Sequence, residues 1–300
     1  MLRNEFSMNR RLIAIDEVNT RQSIIGISLL TKLLKNRGYN AQKLLDQAGI
    51  SSELLLDPKA TISFQQDVAF TRELINTLQD DDLGFKAGQC FRLNAFGHIG
   101  LAASSSDTVS DAITFFLKYI HLAYTPFLID FFIKEGNAVL RFNDQFNLGD
   151  LRRFYLERDF SFAFLSTRDM FPRSIEGQKP KTIHFDFPCP TNIEHYQALY
   201  ECPVHFSMPY NEILFDERYL DLALPLANSL IPTVFVIFPM EFNSIPPRID
   251  EFLLMTNPIL NPSLLLKAGT LSHESYITFF PDAKFVPDDI PTVYLIFCWA

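Results

Sequence analysis

Residues 97–124 read GHIGLAASSSDTVSDAITFFLKYIHLAY, and the reading of this stretch decides the fold. It opens on Gly97-His98-Ile99-Gly100-Leu101-Ala102-Ala103, where bulk is missing and backbones can approach closely. Thr108 and Asp111 then stand in a Thr-x-x-Asp arrangement, in which a side-chain oxygen can satisfy a free amide of a first helical turn. Beyond it, Val109, Ala112, Ile113, Phe116, Leu117 and Ile120 recur at spacings of 3, 1, 3, 1 and 3, with Lys118 on the other face. That is one continuous apolar stripe, so the helix lies on a core. An amphipathic core helix after a tight turn accounts for these residues without any function.

Toward the N-terminus, residues 1–95 read as helices. Ile24, Ile25, Ile27, Leu29, Leu30, Leu33 and Leu34 give a strongly apolar helix ending near Gly38. Asn40 can cap a short helix that carries Leu44, Leu45 and Ala48 and closes at Gly49. Asp57-Pro58 is a turn, and Ser63 with Gln66 forms a capping box ahead of Val68, Leu74, Ile75 and Leu78. The run Asp80-Asp81-Asp82 reads as a solvated helix end in preference to a metal site.

Toward the C-terminus, Phe127, Ile129, Phe131 and Ile133 alternate with polar residues. Glu135-Gly136-Asn137 turns the chain into a second strand over 138–143, a hairpin with one buried face. Asp150 caps a long helix containing Leu151, Phe154, Tyr155, Phe162 and Leu165. A strand through Ile183, Phe185 and Phe187, a helix over 193–199, and strand-like pieces over 204–207 and 213–216 follow. The order ββαβαββ after a helical lead predicts an α+β fold: a mixed sheet with helices on one face, and an irregular C-terminal remnant.

Composition narrows the function. An apolar content of 48% in 300 residues is ample for a core, and thirty Phe residues fit a Phe-filled interior. A net charge of −9 is wrong for a chain whose whole surface grips nucleic acid. Cys90, Cys189, Cys202 and Cys298 form no CxxC, which fits reduced thiols in a cytoplasmic protein. The first residues carry early charges and no long apolar core, so no signal peptide is expected.

Candidate chemistry is sparse. His184, Cys189, His195, Cys202 and His205 are of zinc-ligand type but match no zinc module in spacing, so a structural role is the stronger reading and no metal or cofactor is expected. A small metal-dependent enzyme built on that cluster stays as the weakest alternative. Arg152 and Arg153 beside Glu157 could hold an anionic effector, or form an i,i+4 ion pair on the helix surface. No nucleophile elbow, P-loop, HExxH or GxGxxG occurs, so the chain does not read as an enzyme. His98 and His121 flank the opening stretch and could line a pocket.

The stretch 97–124, together with Gly49-Ile50, Asp57-Pro58, Ile62-Ser63-Phe64-Gln65 and Asp82-Leu83-Gly84-Phe85, resembles the amino-terminal effector-binding (arabinose-binding-like) domain of AraC/XylS-type transcription regulators. Leu151-Arg152-Arg153-Phe154, Cys202-Pro203-Val204, Leu214-Phe215-Asp216 and Leu224-Pro225-Leu226-Ala227-Asn228 continue the likeness in order. The resemblance implies a sensor domain over 1–228, with its core over 26–228, that binds a small organic effector. His98, Gly100, Ala102, His121 and Arg153 are its candidate ligand-binding residues. It also implies homodimerisation, or a heterodimer with another AraC-type regulator, in the cytoplasm.

Residues 229–300 depart from that pattern. Arg248-Ile249-Asp250-Glu251-Phe252-Leu253-Leu254 and Asn261-Pro262-Ser263-Leu264 still resemble the entry to a first helix-turn-helix unit. Where the family's recognition helix is Arg-rich, Ser275-Tyr276-Ile277-Thr278-Phe279-Phe280-Pro281 offers a helix breaker and no base. Residues 231–300 hold three basic and seven acidic residues, a net −4 that should repel phosphate. A truncated or degenerate DNA-binding domain is therefore expected, with no DNA-binding residues and no specific DNA binding by this chain. A near-repeat, IPTVFVIF at 231–238 and IPTVYLIF at 290–297, has no physical account. The uncharged run 222–240 is long enough to cross a membrane, but Pro225, Pro232 and Pro239 argue against a span, and no membrane partner is expected.

Overall fold

A computed structural model of the protein describes residues 21–57, 60–120, 125–170 and 179–228. The expectations for 229–300, and for the remainder of the uncharged run, lie outside the described residues.

The N-terminal lead is helical, as its patterning requires: α1 (Ile25–Asn36), α2 (Gln42–Gln47), α3 (Phe64–Leu78) and α4 (Leu83–Cys90). Ile27, Leu30 and Leu34 bury one face of α1. The Asn40 side chain accepts from the Gln42 amide at 2.9 Å. Both halves of the Ser63/Gln66 capping box are present at the start of α3. One feature was not foreseen, a two-stranded antiparallel ribbon of β1 (Arg21–Ser23) and β2 (Thr61–Ser63). Three-residue strands are too short to show a period of two, which is why periodicity alone missed them.

Of the acidic triplet Asp81 is exposed, as a solvated helix end requires, but Asp80 and Asp82 are engaged. Asp80 is held by Arg37 at 2.7 Å and Lys86 at 2.8 Å, and Asp82 receives His195 Nδ1 at 2.6 Å and the Asn192 amide at 3.0 Å. Arg37, Asn192 and His195 are distant in sequence, so the acids tie the start of α4 to the end of α1 and to the 192–195 segment.

Next come α5 (Gly97–Ser104) and α6 (Val109–Tyr119), followed by the hairpin β3 (Phe127–Lys134) and β4 (Asn137–Asp144). Its two-residue turn places Glu135 and Gly136 at φ 52° and 74°, the left-handed pair that matches the twist of the flanking strands. After it run α7 (Arg152–Met170), β5 (Thr182–His184), α8 (Ile193–Tyr200), β6 (Val204–His205) and β7 (Asn211–Asp216). The expected ββαβαββ order is therefore the observed one. The strands form one sheet in the order β3-β4-β7-β5-β6, antiparallel except for the β5–β6 pair.

Among the described residues no helix is long and apolar enough to cross a membrane. The start of the uncharged run belongs to the fold: the Val109 amide donates to the Leu222 carbonyl, Leu224 to Asp107, and Asn228 to Ser105. Residues 222–228 thus lie against the segment that launches α6.

Candidate functional site

Between the hairpin and the α6–α7 pair lies a cavity with an envelope of about 750 Å³, its open mouth included. Its walls are mostly apolar with a few polar groups, the make-up of a small-molecule site. One wall is the stripe on α6 read from the sequence. Ala112, Ile113, Phe116, Leu117 and Ile120 all face the cavity, while Val109 is buried just beyond it. The Thr108 hydroxyl caps this helix, accepting from the Asp111 amide at 3.1 Å.

The opposite wall is a second stripe with the same spacing: Asp159, Phe162, Ala163, Ser166, Thr167 and Met170 on α7. Sequence reading followed the apolar residues of this helix and passed over its polar lining, because polar and apolar residues are spread all round the helix and nothing marks that face. Ile129, Leu140 and Phe142 of the hairpin form the floor. Phe96, Phe116 and Phe162 form an aromatic group in the wall, with ring centroids 5.1 Å apart for Phe96–Phe116 and 4.7 Å for Phe96–Phe162.

The small segment at 97–103 contributes by tight packing. It is the helix α5, where a Cβ at Gly100 would collide with the Leu93 carbonyl oxygen. That close approach seats the 3₁₀ turn Leu93–Phe96 on α5 and thereby brings Leu93 and Phe96 to the cavity. Gly100 and Ala102 are buried but do not line the cavity; their neighbour Ala103 does. The His98 side chain and His121 lie outside the described residues.

The cavity wall carries a few polar groups. Asp159 accepts from Arg158 Nε and from the Thr125 hydroxyl, each at 2.7 Å. Arg158 is 1% exposed, and its guanidinium lies over the rings of Phe91, at 5.3 Å, and Tyr155, at 4.7 Å. Burial opposes the charge on Arg158, but Asp159 and Asp67 hold its pKa above the ordinary arginine value, so it stays charged. Burial pushes the Asp67 carboxyl up, against the pull of Arg158 and of the Tyr155 hydroxyl that donates to it at 2.7 Å. The Thr167 hydroxyl donates to the Ala163 carbonyl at 2.7 Å. Ser166 is buried and its hydroxyl has no partner.

Arg153 lies elsewhere. Its Nε donates to Glu157 at 2.7 Å and its terminal nitrogen to Asn192 at 3.2 Å. This is the i,i+4 ion pair, but not a surface one, because the Glu157 side chain is 3% exposed and also receives the Tyr196 hydroxyl. Arg152 is engaged by Asp144 and Asp186. The His/Cys cluster is divided: His184 packs edge-on against His205, with centroids 5.6 Å apart, and faces Glu212 at 3.5 Å, while His195 meets Asp82. Burial pushes the Cys202 thiol up to about 11, well above a reactive range. Among the described residues no three His, Cys, Asp or Glu side chains are grouped to hold a metal ion.

Residues 38–224, which span the cavity and the sheet, match the family model described as the N-terminal arabinose-binding domain of AraC transcription regulators. The chain belongs to the AraC regulator family. It is 25% identical over 201 residues to the ornithine utilization regulator of Pseudomonas aeruginosa, covering 66% of this chain and 58% of the relative. It is 24% identical over 213 residues to an uncharacterized HTH-type transcriptional regulator of Mycobacterium tuberculosis, covering 69% and 61%. The AraC-type chain thus matches about three-fifths of the length of these curated relatives. The crystal structure of the transcriptional regulator CdpR from Pseudomonas aeruginosa superposes with a TM-score of 0.52 at 17% identity, covering 71% of this chain and 61% of that one, a likeness of fold. The family and these relatives are transcription regulators, not enzymes.

Proposed function

We propose that residues 21–228 are the sensor of an AraC-type regulator and that the α6–α7 cavity holds its small organic effector. One observation carries this reading. The family's matched domain contains a cavity with apolar walls and few polar groups, between two helices whose facing stripes share one spacing. Gly100 supports the site from behind, because bulk there would displace the turn that carries Phe96. The experiment is calorimetric titration of the purified chain with small organic molecules, beside an Ala163→Phe variant. Saturable binding that the variant loses supports the cavity; binding that survives the filled cavity places the effector elsewhere.

We propose further that this chain does not read DNA by itself. The net −4 over 231–300, and the absence of Arg or Lys from 275–281, support that reading. Regulation would then pass through a second chain, a homodimer or a heterodimer with an intact AraC-type relative. Titration against the chain's own promoter region at two salt concentrations tests it. Sequence-specific, salt-sensitive binding in the nanomolar range would overturn it.

A further inference from the structure

The cavity wall carries a chemical specification that its size alone does not. Of its polar groups, all but one are already engaged. Each oxygen of Asp159 accepts a 2.7 Å bond, one from Arg158 and one from Thr125, and the Thr167 hydroxyl is turned back onto its own helix. Ser166 stands one residue before Thr167 on the same helix and does not make the analogous back-bond. Its side chain is 4% exposed, lines the cavity, and has no hydrogen-bond partner. A buried hydroxyl without a partner is costly, and a bound molecule that supplies one recovers that cost.

The charges restrict what that molecule can be. Among the described residues Asp159 is the one charged group in the wall, and no Lys, Arg or His lines it. Among the described residues a carboxylate would meet no cation in this apolar wall and would have a like charge in view. An ammonium would find Asp159 already balanced by Arg158, so its own charge would go unbalanced. A plain hydrocarbon would leave Ser166 unsatisfied. Asp159 and Ser166 lie seven residues apart on one face of α7, about 10 Å along the axis. That leaves Ser166 as the point for the head group, and the apolar remainder of the wall, Phe96, Phe116 and Phe162 included, for an apolar body.

We infer that the cavity takes a neutral, largely apolar molecule with one hydroxyl group, an alkyl or aryl alcohol, and that Ser166 is the residue that reads the hydroxyl. The inference rests on the effector reading above and names the ligand class for that same site. A hydroxyl suits Ser166 because each partner can both donate and accept.

The test titrates the full chain with octanol, octanoate and octylamine, which share a tail and differ in the head. Octanol should bind saturably, and the two charged probes at least about ten-fold more weakly. Ser166→Ala should weaken octanol about five-fold and leave the charged probes unchanged, as expected for one neutral hydrogen bond. Its melting temperature should equal or exceed the parent's, which keeps a folding defect from imitating the result. Ala163→Phe should abolish binding of all three. Octanoate or octylamine binding as tightly as octanol overturns the ligand class while leaving the cavity reading intact. Unchanged octanol affinity in Ser166→Ala removes Ser166 from the recognition. No saturable binding of any probe to the folded parent, or octanol binding that Ala163→Phe leaves untouched, overturns both readings together.

Discussion

Toward α4, helix α7 is met so closely that a methyl group placed at Gly84 would stand 2.5 Å from the Glu157 Cβ and 2.9 Å from the Phe154 carbonyl oxygen. Toward α6, the same helix leaves an envelope of about 750 Å³. The two sides also treat polar groups differently. On the packed side Glu157 is fixed by Arg153 and Tyr196, and Tyr155 donates to Asp67, so those buried groups are engaged. On the open side a hydroxyl is left without a partner. A helix that must present a site to a ligand needs a seat that does not yield, and α4 provides one through two glycines. Without that seat, the binding energy of a small molecule would be spent on moving the helix.

The comparison can be broken hardest at Arg158, whose Nε lies 2.7 Å from Asp159 and whose guanidinium is stacked between two rings. Arg158→Ala strands a buried carboxylate in the cavity wall and empties a packed site, so unfolding in urea should show a loss of about 4 kcal/mol. Gly88→Ala comes next. Its new Cβ would strike the Arg158 carbonyl oxygen and stand 2.5 Å from the Ser161 Cβ, and backbone cannot rotate aside. A loss of about 3 kcal/mol is expected, again from urea unfolding.

The open side should respond the other way. Phe116→Asp places a charge in the half-buried cavity wall rather than in a sealed core. It should cost about 2 kcal/mol, less than Gly88→Ala despite the harsher chemistry, while effector binding disappears. A fully unfolded variant would show that the wall is as tightly packed as the seat.

The smallest effect concerns pH. Burial pushes the Glu157 carboxyl above its ordinary value of 4.5, against the lowering pull of Tyr196 and Arg153. Between 4.5 and the raised value the folded chain binds more protons than the unfolded one, so this group's contribution to stability falls as the pH rises through that window. Glu157→Gln cannot titrate. Melting curves of parent and variant should therefore diverge in the variant's favour as the pH is raised from 4.5, with a neutral-pH difference within about 1 kcal/mol. A constant difference across that range would mean that Glu157 titrates as it does in the unfolded chain.

How much of this was legible in the sequence depended on whether the signal was local. Thr108, Ser63 and Glu135-Gly136 act within a few residues of themselves, and each takes the role its spacing implies. The α6 stripe was equally readable, because apolar periodicity reports a buried face directly. It could not report that the face borders a cavity, since that depends on what α7 and the hairpin leave unfilled. Residues such as Asp159 and Ser166 are polar within a helix whose polar and apolar residues are spread all round it, so no amphipathic signal marks them. The glycines at 84 and 88 carry no hint of their partner, 70 or so residues later in the chain, and Gly100 reads as a place of close approach without saying that the Leu93 carbonyl is what approaches.

The strand order has a consequence for synthesis. β7, the last made of this sheet's strands among the described residues, lies between β4 and β5, pairing Ala138 with Phe215 and Ile183 with Ile213. A ribosome therefore releases the β3–β4 hairpin, α7 and β5 before the strand that joins them exists. At typical elongation rates of about 5–20 residues per second, the wait from residue 144 to residue 216 is several seconds. Through that interval β4 exposes an unpaired edge of apolar residues, a template for mispairing between neighbouring nascent chains. The domain closes only after translation passes Asp216, so a message cut short before that codon would yield a sticky fragment, not a smaller sensor.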